Sequence, residues 1–360
     1  MTQNYTYVIA EAGVNHNGSL DLSRQLIDVA AEAGADAVKF QTFRADALTT
    51  DSAPKAPYQI ETTGAGQSQL EMLRALELSE SDHDALSAHC RDRNITFLST
   101  AFDEESLAML VDRYEIGLVK MPSGEITNGP LMLAAARTGL PVVVSTGMSV
   151  LAEVEQALGV LAFGMTRPES ETPGTDAFAN AYASPEGQAA LRERATLLHC
   201  TSSYPTPPAD ANLRAMDTLR DAFGLSVGYS DHTRGIAIPV AAVARGAGVI
   251  EKHFTLDRTL SGPDHRASLE PRELRAMVRS IREVEQALGS PLKSPTADEL
   301  AVRRVARRSL VAAAAIEAGA PLTAANVTSR RPGDGLSPMR YWDVLGRAAA
   351  TDYGPGDHIA

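Results

Sequence analysis

Cysteine is scarce in this chain, with only Cys90 and Cys200 among 360 residues, so no disulfide framework is expected and a reducing cytoplasm fits. Positive charge is also in short supply: 33 Lys and Arg stand against 45 Asp and Glu, a formal net charge of −12. Nucleic acid and anionic membranes both need basic faces, so neither is expected as a partner. A small anionic substrate stays open, because a local group of cations can outweigh the global sign. The first seven residues have neither a basic n-region nor an apolar h-region, and no uncharged apolar run reaches membrane-spanning length. What is present in quantity is ordinary core material. Hydrophobic residues make up 44% of the chain, and its length suits a barrel plus a small appendage better than one average domain.

Strand and helix signals alternate through the first two-thirds of the sequence. Short apolar runs at 7–12, 37–42, 96–100, 118–121, 141–145, 196–201, 226–230 and 249–254 predict strands. Amphipathic segments lie between them, and 270–288 closes the series. Eight strand–helix repeats predict a (β/α)8 TIM barrel over residues 1–288; an open doubly wound sheet offers no reason to stop at eight. Parity along the strands then groups polar residues on single faces: Lys39 with Gln41, Gly228 with Ser230 and His232, Glu251 with His253, and Leu197 with His199 and Thr201.

Two connections are long. Residues 43–80 leave the rim where barrels place chemistry and contain Lys55, Tyr58 and a Gly64-Ala-Gly66 hinge, as substrate-covering loops do. Residues 164–194, rich in Pro, Ser, Gly and Glu, sit at the opposite rim and are expected to have no catalytic part. After Leu288 the texture changes to a linker arm at 289–308 and a turn-rich domain of its own at 309–360.

The chemistry concentrates at predicted strand ends. His232 and His253 close two neighbouring strands, and two imidazoles at one rim suit a divalent metal with open positions for substrate. Mn2+ or Mg2+ is favoured over zinc, since no third His or Cys ligand is evident. Lys39 and Lys120 end two other apolar strands, where an ammonium must meet an anion or shift its pKa. Either one of them forms a Schiff base, as in barrel aldolases, or both bind an anion bearing phosphate and carboxylate. Hydroxyls at Thr100, Ser123, Ser145 and Ser230 favour the anion.

Several motifs resemble those of the sialic acid synthases: Ala10-Glu-Ala-Gly-Val-Asn-His-Asn-Gly18, Lys39-Phe-Gln-Thr42, Phe97-Leu-Ser-Thr100, Lys120-Met-Pro-Ser-Gly-Glu125 and Ser145-Thr-Gly-Met148. Leu198-His-Cys-Thr201 with Tyr204-Pro, Gly228-Tyr-Ser-Asp-His232, Glu251-Lys-His-Phe254 and Gly262-Pro-Asp264 continue the likeness in order. Arg330-Arg-Pro-Gly-Asp-Gly335 resembles the antifreeze-like (SAF) domain that these enzymes carry at the C-terminus. The resemblance implies condensation of phosphoenolpyruvate with an N-acetylated amino-sugar aldehyde to a nine-carbon 2-keto acid and phosphate. It places Mn2+ or Mg2+ on His232 and His253, and phosphoenolpyruvate on Lys39, Thr100, Lys120, Ser123, Ser145 and Ser230. Gln41, Glu125, Tyr204 and Asp264 would meet the sugar, with Glu125 or Asp264 relaying protons. Arg331 would reach in from the small domain of a second subunit in a domain-swapped homodimer.

Two positions depart from the synthases that act on N-acetylmannosamine. Asn17 stands where those enzymes carry an acid, and Ser202 where they carry Asn. A neutral Asn17 removes a carboxylate partner from the sugar end. With residues 53–59 and 69–72, this resembles the N,N′-diacetyllegionaminate synthase branch of the family. The substrate implied is 2,4-diacetamido-2,4,6-trideoxymannose; N-acetylmannosamine, giving N-acetylneuraminate, is the alternative.

Overall fold

A computed structural model describes residues 5–64 and 66–360 and divides the chain into two compact units, Met1–Gly289 and Ser290–Ala360. The first holds eight parallel strands: β1 (Tyr7–Gly13), β2 (Ala37–Thr42), β3 (Thr96–Ala101), β4 (Val119–Met121), β5 (Val142–Ser145), β6 (Ala195–His199), β7 (Ser226–Asp231) and β8 (Val249–His253). Their hydrogen-bonded order is β3-β2-β1-β8-β7-β6-β5-β4. β3 and β4 lie side by side without a ladder, so the barrel is nearly closed. Pro122, which has no N–H to donate, follows the three residues of β4.

Each strand is followed by a helix, and local sequence explains the boundaries. In Leu20–Ala33, Ser19 caps the start by accepting the Leu22 N–H at 3.3 Å. Leu26, Ile27, Ala30 and Ala33 form its buried stripe, and Gly34, at φ 78°, ends it. Alternate strand residues meet these helices, among them Val8, Ala10, Val38, Phe40, Val119 and Met121, all buried. The other parity points into the barrel.

Both long connections carry more order than their composition suggests. Residues 164–194, read as a long connection with no catalytic part, hold the helices Thr175–Ala183 and Pro185–Arg194, and Phe178 packs edge-on against Phe163 with ring centres 5.3 Å apart. Pro185 sits at the first turn of its helix, where a missing N–H costs nothing, and Ser184 caps that turn. The connection after β2 forms three short helices, Ala45–Leu48, Pro57–Thr63 and Gln69–Arg74. Ala65, the centre of the expected hinge, and Met1–Asn4 lie outside the described residues.

The second unit begins with the exposed helix Ala297–Ala306, capped by Thr296, within the stretch read as an arm. An antiparallel pair follows, β9 (Ser309–Ala312) with β10 (Val327–Arg330), over a core that includes Leu310, Ile316, Leu322, Val327, Tyr353 and Ile359. The Ser309 hydroxyl donates to the Pro332 carbonyl at 2.7 Å and accepts the Gly335 N–H at 2.8 Å. That pins the exposed turn carrying Arg331.

Candidate active site

The inward residues at the C-terminal strand ends surround a cavity of about 610 Å3. Register explains why they meet. Glu11 on β1 is the direct neighbour of Lys39 on β2 and of His253 on β8. Gln41 pairs with Thr100, and Ser230 with Glu251.

The floor is a buried network of charges. Lys39 Nζ lies 2.6 Å from Glu11 and 3.7 Å from Glu251, and it donates to Thr100 Oγ1 at 2.8 Å. Lys120 Nζ lies 3.5 Å from Glu251 and donates to Ser145 Oγ at 2.8 Å. Ser230 Oγ donates to Glu251 Oε1 at 2.8 Å. Burial pushes both carboxyls up. For Glu251 the two lysines overcome it, holding the group ionised, whereas Glu11, served mainly by Lys39, stays raised. Burial lowers Lys120; the same effect on Lys39 is outweighed by Glu11 and Glu251, leaving it raised.

The histidines stand beside this floor, their ring centres 5.7 Å apart. His232 donates its Nδ1 proton to the Thr201 carbonyl at 2.7 Å, which leaves the Nε2 lone pair available. His253 Nδ1 is buried with no hydrogen-bond partner. Burial lowers the pKa of both, keeping them in the neutral form that binds metals. Among the described residues no three His, Cys, Asp or Glu side chains converge as a metal cage. The pair therefore fits an open two-nitrogen site with positions left for water and substrate oxygens, and does not fit a closed structural zinc site. Gly13, at φ 54°, makes room here, since a Cβ would come within 3.2 Å of His253 and 3.3 Å of Glu11.

The third wall is built from loops. Tyr204 packs at a tilt against His232, with centres 4.1 Å apart, and stacks on Tyr58 at 5.0 Å. Thr62 donates to the Pro263 carbonyl at 3.4 Å, joining the helix Pro57–Thr63 to the turn that carries Asp264. Burial raises the Asp264 carboxyl to about 7, and its Oδ1 has no partner. Glu125 accepts from Asn128 Nδ2 at 2.7 Å.

Twelve residues singled out from the sequence line this cavity: Lys39, Gln41, Thr100, Lys120, Ser123, Glu125, Ser145, Tyr204, Ser230, His232, His253 and Asp264. Asn17 does not. It sits behind the wall, accepting from His265 Nε2 at 3.2 Å. Arg331 belongs to the second unit. The parity expected for β6 is reversed: His199 donates to the Ala211 carbonyl at 2.9 Å, while Cys200 and Ser202 line the cavity. Asp231, next to His232 in the chain, does not line the cavity but forms a fully buried ion pair with Lys252 at 2.5 Å.

Glu11 and the bridging role of Glu251 were missed. The available signal was the barrel order, which sets β1 between β8 and β2 and so puts an acid between a lysine and a histidine. Cys200 is buried and also lines the cavity. Gly147 is the packing key there, because a Cβ would lie 2.5 Å from Ser202 Oγ, 2.8 Å from Ser123 Oγ and 2.9 Å from Cys200 Sγ.

Known proteins agree with this architecture. The NeuB family profile matches residues 26–293, and the SAF domain profile matches residues 307–359. The N,N′-diacetyllegionaminic acid synthase of Campylobacter jejuni is 47% identical over 97% of both chains. The enzyme of that name from Legionella pneumophila is 43% identical over 97% of this chain and 92% of its own. Among solved structures, the N-acetylneuraminic acid synthetase of Leptospira borgpetersenii superposes with a TM-score of 0.66 at 34% identity, covering 83% of this chain and 90% of its own. These profile matches and full-length relatives show that the chain belongs to the NeuB family of nonulosonic acid synthases and carries a SAF domain.

Proposed function

We propose that this enzyme condenses phosphoenolpyruvate with 2,4-diacetamido-2,4,6-trideoxymannose to give N,N′-diacetyllegionaminate and phosphate. The observation that carries the reading is the cavity floor, where two buried lysines and four strand-end hydroxyls face a pair of neutral histidines. Two full-length relatives named for this product supply the choice of sugar. Lys39 and Lys120, with Thr100, Ser123, Ser145 and Ser230, hold the carboxylate and phosphate, a mainly electrostatic contribution. His232 and His253 would hold Mn2+ or Mg2+, which when bound would supply Lewis-acid polarisation of the sugar's aldehyde.

Carbon 3 of phosphoenolpyruvate bonds to the aldehyde carbon, whose oxygen takes up a proton. Carbon 2, left electron-poor, accepts water, which loses a proton. The resulting tetrahedral centre expels phosphate by C–O cleavage, leaving the 2-keto acid. Asp264 is suited to proton relay because burial sets its pKa near neutrality, and Glu125 is the other candidate. Gln41 and Tyr204 orient the sugar. Asn17 acts indirectly through His265 and the turn at Asp264, and Arg331 completes the sugar site of a second copy in a domain-swapped homodimer. No described helix is long and apolar enough to cross a membrane, and both cysteines are free and buried, which suits work in the cytoplasm.

Phosphate release with each of the two candidate sugars, in the presence of Mn2+, tests the proposal. Release with the trideoxy sugar is expected; release with N-acetylmannosamine alone would reassign the substrate. A Schiff-base aldolase is the second reading, favoured by the lowered pKa of Lys120. Borohydride trapping of an adduct on Lys120, with activity surviving EDTA, would establish it instead.

A further inference from the structure

The cavity has a second character opposite its charged floor. Val14, Leu48, Met72, Leu73, Leu76 and Phe102 line one sector and belong to a small apolar cluster separate from the barrel core. They come from the end of β1, the connection after β2 and the residue after β3. In the strand order these elements face β5, β6 and β7, which bring Ser145, Cys200, Ser202 and Ser230 to the other side. Edge-on packing of Phe43 against Phe102, with centres 6.0 Å apart, backs the apolar side. Thr49 and Gln69, polar residues of the same sector, are turned to each other, with Thr49 Oγ1 donating at 3.5 Å. Apart from the amide groups of Gln59 and Gln69, this side of the cavity has little to offer a hydroxyl.

We propose that Leu48, Met72, Leu73 and Leu76 form the specificity surface for the sugar, receiving a methyl group at the end of the acceptor furthest from the aldehyde. The inference rests on the reading above, which sets the aldehyde at His232 and His253 and phosphoenolpyruvate on the lysines. With those quarters filled, the far end of the six-carbon chain extends toward the connection after β2. A methyl there is buried among apolar atoms, whereas a hydroxyl loses water and gains no partner. An apolar pocket of this kind rejects an added hydroxyl by about 100-fold.

The test compares two acceptors that differ at one atom, 2,4-diacetamido-2,4,6-trideoxymannose and its 6-hydroxy counterpart, by phosphate release at saturating phosphoenolpyruvate. The unmodified enzyme is expected to favour the 6-deoxy sugar by about 100-fold in kcat/KM. Leu48→Ser and Leu73→Ser, on separate helices and both half-buried, are each expected to shrink that ratio by roughly tenfold, leaving the KM for phosphoenolpyruvate unchanged. Leu73→Met should restore the ratio. Equal losses for both sugars, or an unchanged ratio in both serine variants, would overturn the specificity surface. Absence of release by the unmodified enzyme with either sugar would overturn the proposed function instead.

Discussion

Replacing Lys252 with Met leaves the Asp231 carboxylate in a fully buried position without its cation. The ion pair is a cross-strand contact, since Asp231 and Lys252 are register partners on β7 and β8. Removing one member of such a pair costs about 3–5 kcal/mol. Asp231 keeps the Thr233 N–H at 2.8 Å and the Thr233 hydroxyl at 3.2 Å, so the lower end, about 3 kcal/mol, applies. At roughly 2–4 °C per kcal/mol for a unit of this size, the melting temperature should fall by about 6–12 °C. Calorimetry of the full chain measures it. The double variant Asp231→Leu/Lys252→Met leaves no buried charge at this position and should recover most of the loss. Lys252 also donates to the Thr233 carbonyl, so it braces both sides of His232. Lys252→Met should therefore weaken Mn2+ binding by about 10–100-fold as well. A single variant that loses under about 1 kcal/mol, or a double variant no better than the single, would refute the reasoning.

Burial raises Asp264 from the usual 3.8 to about 7, so folding disfavours its ionised form. Its contribution is intact below about pH 4 and is lost as pH rises through 7; Asp264→Asn should match the parent at pH 4 and gain on the order of 4 kcal/mol above pH 7, read from melting temperatures across that range, while sugar turnover falls. His232→Ala and His253→Ala should each abolish calorimetrically detected Mn2+ binding with the melting transition retained; undiminished binding in both would refute the two-histidine site. Arg331→Ala should raise the KM for sugar far more than that for phosphoenolpyruvate, and equal rises would count against its reach into the sugar site. Gly147→Ala, which forces a Cβ against Ser123, Cys200 and Ser202, should reduce kcat/KM at least tenfold; unchanged steady-state kinetics would show that this wall adjusts.

Much of the architecture was legible in the chain because short apolar runs and amphipathic stretches alternate with distinct periods. All eight strand positions agree with the expected runs to within about two residues, as boundaries usually do. Local chemistry misled in two places. The Pro, Ser and Gly of 164–194 marked only a long connection, yet it holds two helices, the second opened by Ser184 and Pro185. On β6, neighbouring His199 and Cys200 could each have faced inward, and alternation alone does not say which parity meets the axis.

The sequence by itself determined the repeat of strand and helix, the placing of lysines, hydroxyls and histidines at strand ends, and the kinship those motifs carry, because each depends on residues close along the chain. Only the tertiary structure decided which charges meet. Closing β1 between β8 and β2 brings Glu11 to Lys39 and Glu251 to both lysines, contacts spanning up to 212 positions (39 to 251) that no local pattern encodes. The same closure turns Asp231 away toward Lys252 and sets an apolar wall across from the charged floor.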